Sequence, residues 1–433
     1  MLEIVPLRAG EKADMRITAA ARWGTSRRQY WQSIAVGWGV LGVLLDVGHG
    51  ALCAAAREPV RAVRPQSSRP EPLPLTGEER HQLDTTVDKA LAFLARHQNS
   101  DGSFQTVPVG RPAVTSLCVM AFLSRGYRPG EGCYAANIEA AIDYVLQFQD
   151  ADSGAITPMV GGRHGFWNRA AAYTHGICGT MLADVFPFTG RLQYRRDVGE
   201  TEAAQLDLRR HQLIEKAVRK ALSFTRTQQT LPKQISGEQG GWRYIESEMR
   251  NDSDLSVTAW MIMFLHSSQK SGFRVPDSWM KGGLRFVHHT FSKKQHGFVY
   301  VLSETNRHCT RATVGGGILC LLLGGEPTSP SIKEAVDWIF KHPFEPYNRS
   351  WEPGDRYHYS AFYCSQAMGL LGGAVFRDFY PGLLRVLSEN QHTDGSWDPE
   401  QFHDESSYGE VYSTALAVLA LSPPYQMLET YKR

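Results

Sequence analysis

The chain has 433 residues, 46 Lys and Arg against 44 Asp and Glu, and an aromatic content of 11%. That length allows several ordinary domains or one large helical toroid, and the near-neutral balance gives no electrostatic ground for binding nucleic acid. The seven cysteines show no CxxC and no regular spacing and do not read as a disulfide framework; most lie in apolar helical stretches, where a free Cys behaves as a small buried hydrophobe.

Residues 1–75 differ from the rest. Arg27 and Arg28 precede an apolar run from Ile34 to Leu45, and Ala54-Ala55-Ala56 follows it. A basic flank, a run too short to span a bilayer and small residues beyond it make an export signal, with the paired arginines resembling a twin-arginine one. The alternative is an amphipathic extension. Arg57 to Pro74, rich in Pro, Arg and Ser, reads as a linker. The expected location is therefore exported or membrane-associated, with a cytoplasmic location as the alternative.

From Thr76 onward one pattern recurs. The stretch Lys89 to Gln98 has helical apolar spacing, Asn99 to Phe104 ends it with turn chemistry, and a second helix spans Ala113 to Ser124. The order returns with Gln149 and Gly154 before His164–Phe186, with Gln229 and Gly241-Trp242 before Asp254–His266, and with Gly297-Phe298 before Thr310–Leu323. It returns again with Trp351 before Tyr357–Leu371, and with Gln391, Gly395 and Trp397 before Val411–Leu421. Six helix pairs at an irregular period of roughly 40 to 90 residues predict a repeat architecture. Six pairs can close on themselves, so that each repeat buries its face against both neighbours. The second helix of each pair is the more apolar and belongs inside. The expected fold is all-α, an (α/α)6 toroid over residues 76–433.

The pattern Lys89, Ala90, Phe93, Leu94, Gln98, Gly102, Phe104 resembles the QW repeat of squalene cyclases, and Gln391, Gly395 and Trp397 match its second half. The chain after Thr76 thus resembles the prenyltransferase/squalene-oxidase-repeat superfamily of squalene-hopene cyclases, class II diterpene cyclases and protein prenyltransferase β subunits. In squalene-hopene cyclases a Gly-Gly-aromatic turn precedes the acidic motif DxDDTA, whose middle Asp donates the proton. Here Asp252-Ser253-Asp254-Leu255-Ser256 follows Gly240-Gly241-Trp242, so the resemblance implies Asp254 as the acid and Asp252 as its neighbour. Leu255 stands where the motif has its last Asp.

Protonating an alkene or epoxide requires an acid kept protonated in a dry site, and a second carboxylate disfavours double ionisation. Carbocations are then stabilised by aromatic faces, and Trp260, Trp167, Tyr173, Tyr357, Phe362 and Tyr412 on the inner helices are the candidate lining for an apolar isoprenoid ligand. Against this, Asp and Ser ahead of an apolar run are the expected N-caps, and the helix dipole stabilises a capping carboxylate as the anion. The bland reading of the aromatics is core packing.

The prenyltransferase branch implies a zinc site, for which Cys309 and His358 sit in comparable places, with Arg307 where an aspartate ligand is expected and His308 or Asp355 as substitutes. Unliganded side chains are the alternative, and no cofactor is then needed. Arg163, Arg307, Arg311 and Arg356 begin successive inner helices and form either a basic collar suited to a diphosphate or solvated helix ends. No adjacent Asp-Asp pair occurs, so metal-assisted ionisation through a DDxxD motif has no support. Three readings follow: a cyclase-like enzyme with Asp254 as general acid, a non-catalytic lipid- or protein-binding toroid, and a zinc-dependent prenyltransferase-like protein. A membrane surface is an expected partner and nucleic acid is not.

Overall fold

A computed structural model describes residues 73–158, 166–192, 201–245, 253–303, 308–351, 354–401 and 406–432, with only the backbone of 166–168. The expected export signal and nearly all of the linker, Asp252, Arg163, Arg307 and the Trp167 side chain lie outside the described residues.

Among the described residues twelve α-helices form six consecutive pairs. They are α1 (Gly77–Arg96) with α2 (Arg111–Arg125), α3 (Ala135–Leu146) with α4 (Phe166–Val185), and α5 (Glu202–Thr230) with α6 (Leu255–Lys270). The second half comprises α7 (Asp277–Thr290) with α8 (Arg311–Leu323), α9 (Pro330–Phe340) with α10 (Tyr357–Leu371), and α11 (Gly373–Glu389) with α12 (Gly409–Leu421). Each even-numbered helix packs on the next, and α12 returns to α2, closing an inner ring. The odd-numbered helices lie outside it. Their sequences separate the two layers: α11 buries Phe376, Phe379, Tyr380, Leu383, Leu384 and Leu387 at one-sided helical spacing, whereas α12 buries Val411 and every residue from Ser413 to Leu421. The fold is the all-α toroid expected from the repeat.

The turn after four of the outer helices makes the same joint. The side-chain amide of Gln98 donates to the carbonyls of Gly102 and of Asn137 on α3 at 2.9 and 2.8 Å. Gln149 does so to Gly154 and to Ala217 on α5, and Gln229 to Gly240 and to Trp279 on α7. Gln391 closes the circle by donating to Gly395 and to Thr86 on α1 at 3.0 and 2.9 Å. The glycine of the joint is required twice over. Gly395 has φ +101, and a Cβ there would stand 2.3 Å from the Lys89 carbonyl oxygen. The second repeat, whose sequence departs from the pattern, keeps this joint.

Glycines also set the spacing of the ring. A Cβ on Gly176 or Gly179 of α4 would meet Trp260 and Phe264 of α6 at 2.8 and 2.9 Å, and one on Gly315 of α8 would meet the Cys364 backbone of α10 at 2.8 Å. Five cysteines are free and buried, as expected; Cys133, ahead of α3, is instead disulfide-bonded.

Candidate active site at the start of the third inner helix

The turn before α6 is held from both sides. The indole N–H of Trp242 donates to the Thr225 carbonyl on α5 at 2.8 Å, and its backbone N–H donates to the Thr258 hydroxyl on α6 at 3.0 Å. Asp254 N–H donates to the Trp242 carbonyl and Leu255 N–H to the Tyr300 carbonyl, both at 2.9 Å. These bonds put Arg243, Tyr244 and Tyr300 around Asp254.

Asp254 is the N-cap of α6, and its Oδ1 accepts from Val257 N–H at 2.8 Å. It is also fully buried, and its Oδ2 has no hydrogen-bond partner. The nearest cation, Nη1 of Arg243, is 3.9 Å away and likewise unpartnered. Burial pushes the Asp254 carboxyl up to about 6, against the opposing pull of Arg243, of the capping N–H and of the Tyr300 hydroxyl. Cap and buried acid, which the sequence set against each other, are one residue here, and desolvation outweighs the helix terminus.

The surroundings are aromatic and phenolic. The Tyr244 and Tyr300 hydroxyls lie 3.4 Å apart, and the Arg243 guanidinium sits over the Tyr244 ring at 4.6 Å. Burial raises the hydroxyls of Tyr173, Tyr244 and Tyr300, and the Asp254 charge adds to each shift. Deeper in the ring, Trp260 stacks on Phe362 with centroids 5.5 Å apart and donates to the Tyr359 hydroxyl at 3.0 Å. Phe362 in turn meets Tyr431, whose hydroxyl donates to the Met263 sulfur at 3.1 Å. Aromatic packing therefore fills this part of the interior.

Of the residues expected from the sequence, Asp254 and Tyr173 share one neighbourhood, and Trp260 and Phe362 form the stack linked to it through Tyr359. Tyr357 belongs elsewhere: its hydroxyl donates to the Phe344 carbonyl, and its ring faces Phe344 and Tyr347. Tyr412 packs on Tyr408 at 5.3 Å. Arg356 caps α10 and donates to the Gly354 carbonyl. Arg311, expected in a basic collar, is buried in an ion pair with Asp355 at 2.8 Å and also donates to the carbonyls of Pro343 and Arg349.

Cys309 and His358 gather no third ligand for zinc among the described residues. His358 is buried against Tyr347, its Nδ1 is 3.8 Å from Glu400, and burial pushes it down to about 3. Cys309 instead sits against Gln295 and Gly297, and Asp355 is committed to Arg311. Among the described residues no three His, Cys, Asp or Glu side chains gather as a metal site.

Arg243, Tyr244, Tyr300 and Tyr359 were not singled out by sequence. Arg243 and Tyr244 follow the Gly-Gly-Trp turn directly, which was the available signal; Tyr300 enters from the next repeat and has none.

The architecture defines a class, the α/α toroids, which hosts unrelated chemistries. No family model and no curated protein sequence matches the chain. Among solved structures it is similar to the type II terpene cyclase MstE from Scytonema, in a variant complexed with geranylgeranyl dihydroxybenzoate as substrate. That match has 17% identity and a TM-score of 0.52, covering 82% of this chain and 100% of that one. It is also similar to a D-mannose isomerase at 13% identity and TM-score 0.55, covering 82% and 100%. An inactive α-1,6-mannanase variant of Salegentibacter, complexed with α-1,6-mannotriose, has 9% identity and TM-score 0.51, covering 80% and 99%. At these identities the likeness establishes the toroid fold that terpenoid cyclases share.

Proposed function

We propose that the chain is an isoprenoid cyclase-like protein that starts ring closure by protonating an apolar polyprenyl ligand, with Asp254 as general acid. The observation that carries this reading is the Asp254 carboxyl: fully buried, one oxygen fixed by Val257 N–H, and set beside the Tyr300 hydroxyl with its titration raised by burial. In the step, Oδ2–H delivers its proton to a terminal alkene or epoxide, leaving the carboxylate facing Arg243 and a carbocation on the ligand. Tyr173, in the same neighbourhood as Asp254, is the lining ring nearest to that cation. Loss of a proton from the cyclised cation ends the reaction. The isoprenoid substrate of the Scytonema neighbour supports the choice of ligand class.

Asp254→Asn keeps the N-cap and removes the acid. Conversion of squalene or a prenyl diphosphate falls by at least about 100-fold in this variant, and the wild-type rate falls as pH rises through the Asp254 value of about 6. Unchanged conversion refutes the assignment. The second reading, a non-catalytic lipid- or protein-binding toroid, draws on the Trp260–Phe362–Tyr431 packing that fills part of the interior; saturable ligand binding without turnover in wild type selects it. We also propose export or membrane association from the N-terminal signal pattern. No helix of the described residues is long and apolar enough to cross a membrane.

A further inference from the structure

After α12 the chain crosses the ring in two single helical turns, Pro423–Tyr425 and Glu429–Tyr431. It meets α4 and α6 near their C-terminal ends, whereas Asp254 starts α6. The first turn is moored: the Tyr425 hydroxyl donates to Asp84 of α1 at 2.9 Å, and the Arg125 guanidinium lies 4.8 Å over its ring. Gln426, between the turns, has φ +50, a left-handed conformation that strains a residue other than glycine, and its Nε2 is buried without a hydrogen-bond partner. A small cavity beside it is lined by Ser124 of α2, by Gln366 and Leu370 of α10 and by Met427. The second turn enters the interior. Leu428 and Tyr431 are buried, and Tyr431 meets Phe362 of the Trp260 stack and donates to the Met263 sulfur of α6. Its polar mooring is Asp184 of α4. Thr430 donates to that carboxyl through its N–H at 3.0 Å and through its hydroxyl at 2.8 and 2.9 Å, and Ser267 of α6 adds a donor at 2.7 Å. Asp184 is fully buried, and the charge that acts on it, Glu429, is repulsive and paired with Lys432. In place, the segment therefore carries a left-handed side chain, an unanswered amide and a buried carboxyl facing no cation among these partners, each relieved by water once the turn lifts. Burial of Leu428 and Tyr431 and the Thr430 donors hold it down. Opposing terms of this kind make an element with two arrangements close in free energy.

We propose that residues 427–432 form a strap hinged at Gln426 and latched by Thr430 on Asp184, and that apolar molecules reach the interior of the ring by displacing it. This concerns access and holds whether or not Asp254 acts as an acid. Lifting the strap takes the Tyr431 ring off Phe362 and uncovers the way to Trp260. It also brings water to Asp184. The titratable groups facing that carboxyl are Glu429 and Tyr431, both on the strap, while α6 turns Ser267 to it. Burial raises Asp184 to about 6, so the closed strap keeps a proton that the open one, near the ordinary 3.8, gives up. Opening therefore gains as pH rises between these values and levels off above the higher one.

The test follows addition of N-ethylmaleimide to each buried cysteine of the full chain by mass spectrometry. Cys320 of α8 lies within electrostatic reach of the Tyr431 hydroxyl, so its labelling reports the strap. Cys178, held against Ser116 of α2, and Cys364, on the Arg311 carbonyl, report the rest of the ring. Thr430→Val deletes the hydroxyl donor and speeds addition at Cys320 by about 10-fold while Cys178 and Cys364 keep their wild-type rates; Thr430→Ser, which retains the hydroxyl, stays near wild type. Asp184→Asn preserves an acceptor for Ser267 and Thr430 but does not ionise. The ratio of wild-type to Asp184→Asn addition at Cys320, in which the thiol's own pH dependence cancels, rises by about 10-fold from pH 5 to pH 7.5. The inference is overturned if Thr430→Val speeds all three cysteines alike, which marks a loosening of the whole ring, or speeds none. A wild-type to Asp184→Asn ratio that is flat with pH overturns it equally.

Discussion

Substituting Asp254 with Asn measures how much the fold gives up to keep a carboxyl at this position. In the folded chain the group titrates at about 6, against an ordinary value of 3.8, because burial disfavours the anion more than Arg243 and the Val257 N–H favour it. The sign follows. Below about pH 3.8 both states carry the proton and the group is neutral for stability; between the two values only the folded state holds it; above 6 the folded state carries a buried charge. At 1.36 kcal/mol per unit, the penalty at high pH is about 3 kcal/mol, of which about 2 kcal/mol develops between about pH 4.5 and pH 7.5. Asparagine caps a helix as well as aspartate does, so any loss at the cap cancels between the two pH values, while the attraction of Arg243 for the anion is already contained in the value of about 6. Asp184, which burial also raises to about 6 while Ser267 and Thr430 donate to it, titrates alike in both proteins. Urea unfolding of wild type and Asp254→Asn at the two pH values therefore shows the variant gaining about 2 kcal/mol on wild type as pH rises. A difference between the two proteins that does not change with pH refutes the claim that Asp254 is a desolvated acid.

Gln391→Ala removes two hydrogen bonds, one to Thr86 on the first outer helix and one to Gly395 in its own turn, and lowers stability by about 2–3 kcal/mol in a denaturant titration. Gly395→Ala costs about 3 kcal/mol or more, because it strains a φ of +101 and drives Cβ into the Lys89 carbonyl; equal stability to wild type would contradict the joint. Asp355→Ala leaves the Arg311 guanidinium buried without its carboxylate and costs about 3–5 kcal/mol by thermal or urea unfolding. A small effect there would return Arg311 to the list of ligand-binding arginines.

The sequence by itself determined the architecture. The second helix of each pair is apolar on all sides, which only an interior position satisfies, and a Gln followed by a Gly with positive φ specifies a turn that must receive a neighbouring carbonyl. Six such units in one chain have a closed solution in which no apolar face is left bare. The position of Asp254 was legible for the same reason: a short polar residue ahead of an apolar run starts a helix. Its protonation was not legible, because local sequence describes the helix dipole, which favours the anion, and burial is a sum over neighbours from several repeats. Only the tertiary structure brought Tyr300 from the fourth repeat and Tyr173 from the second around that carboxyl. It also turned Tyr357 toward Phe344, committed Arg311 to Asp355, and kept Cys309 and His358 among different partners. Helix periodicity places a side chain on a face; which side chains from other helices meet it there depends on inter-helix spacing, set in this ring by glycines at the contacts.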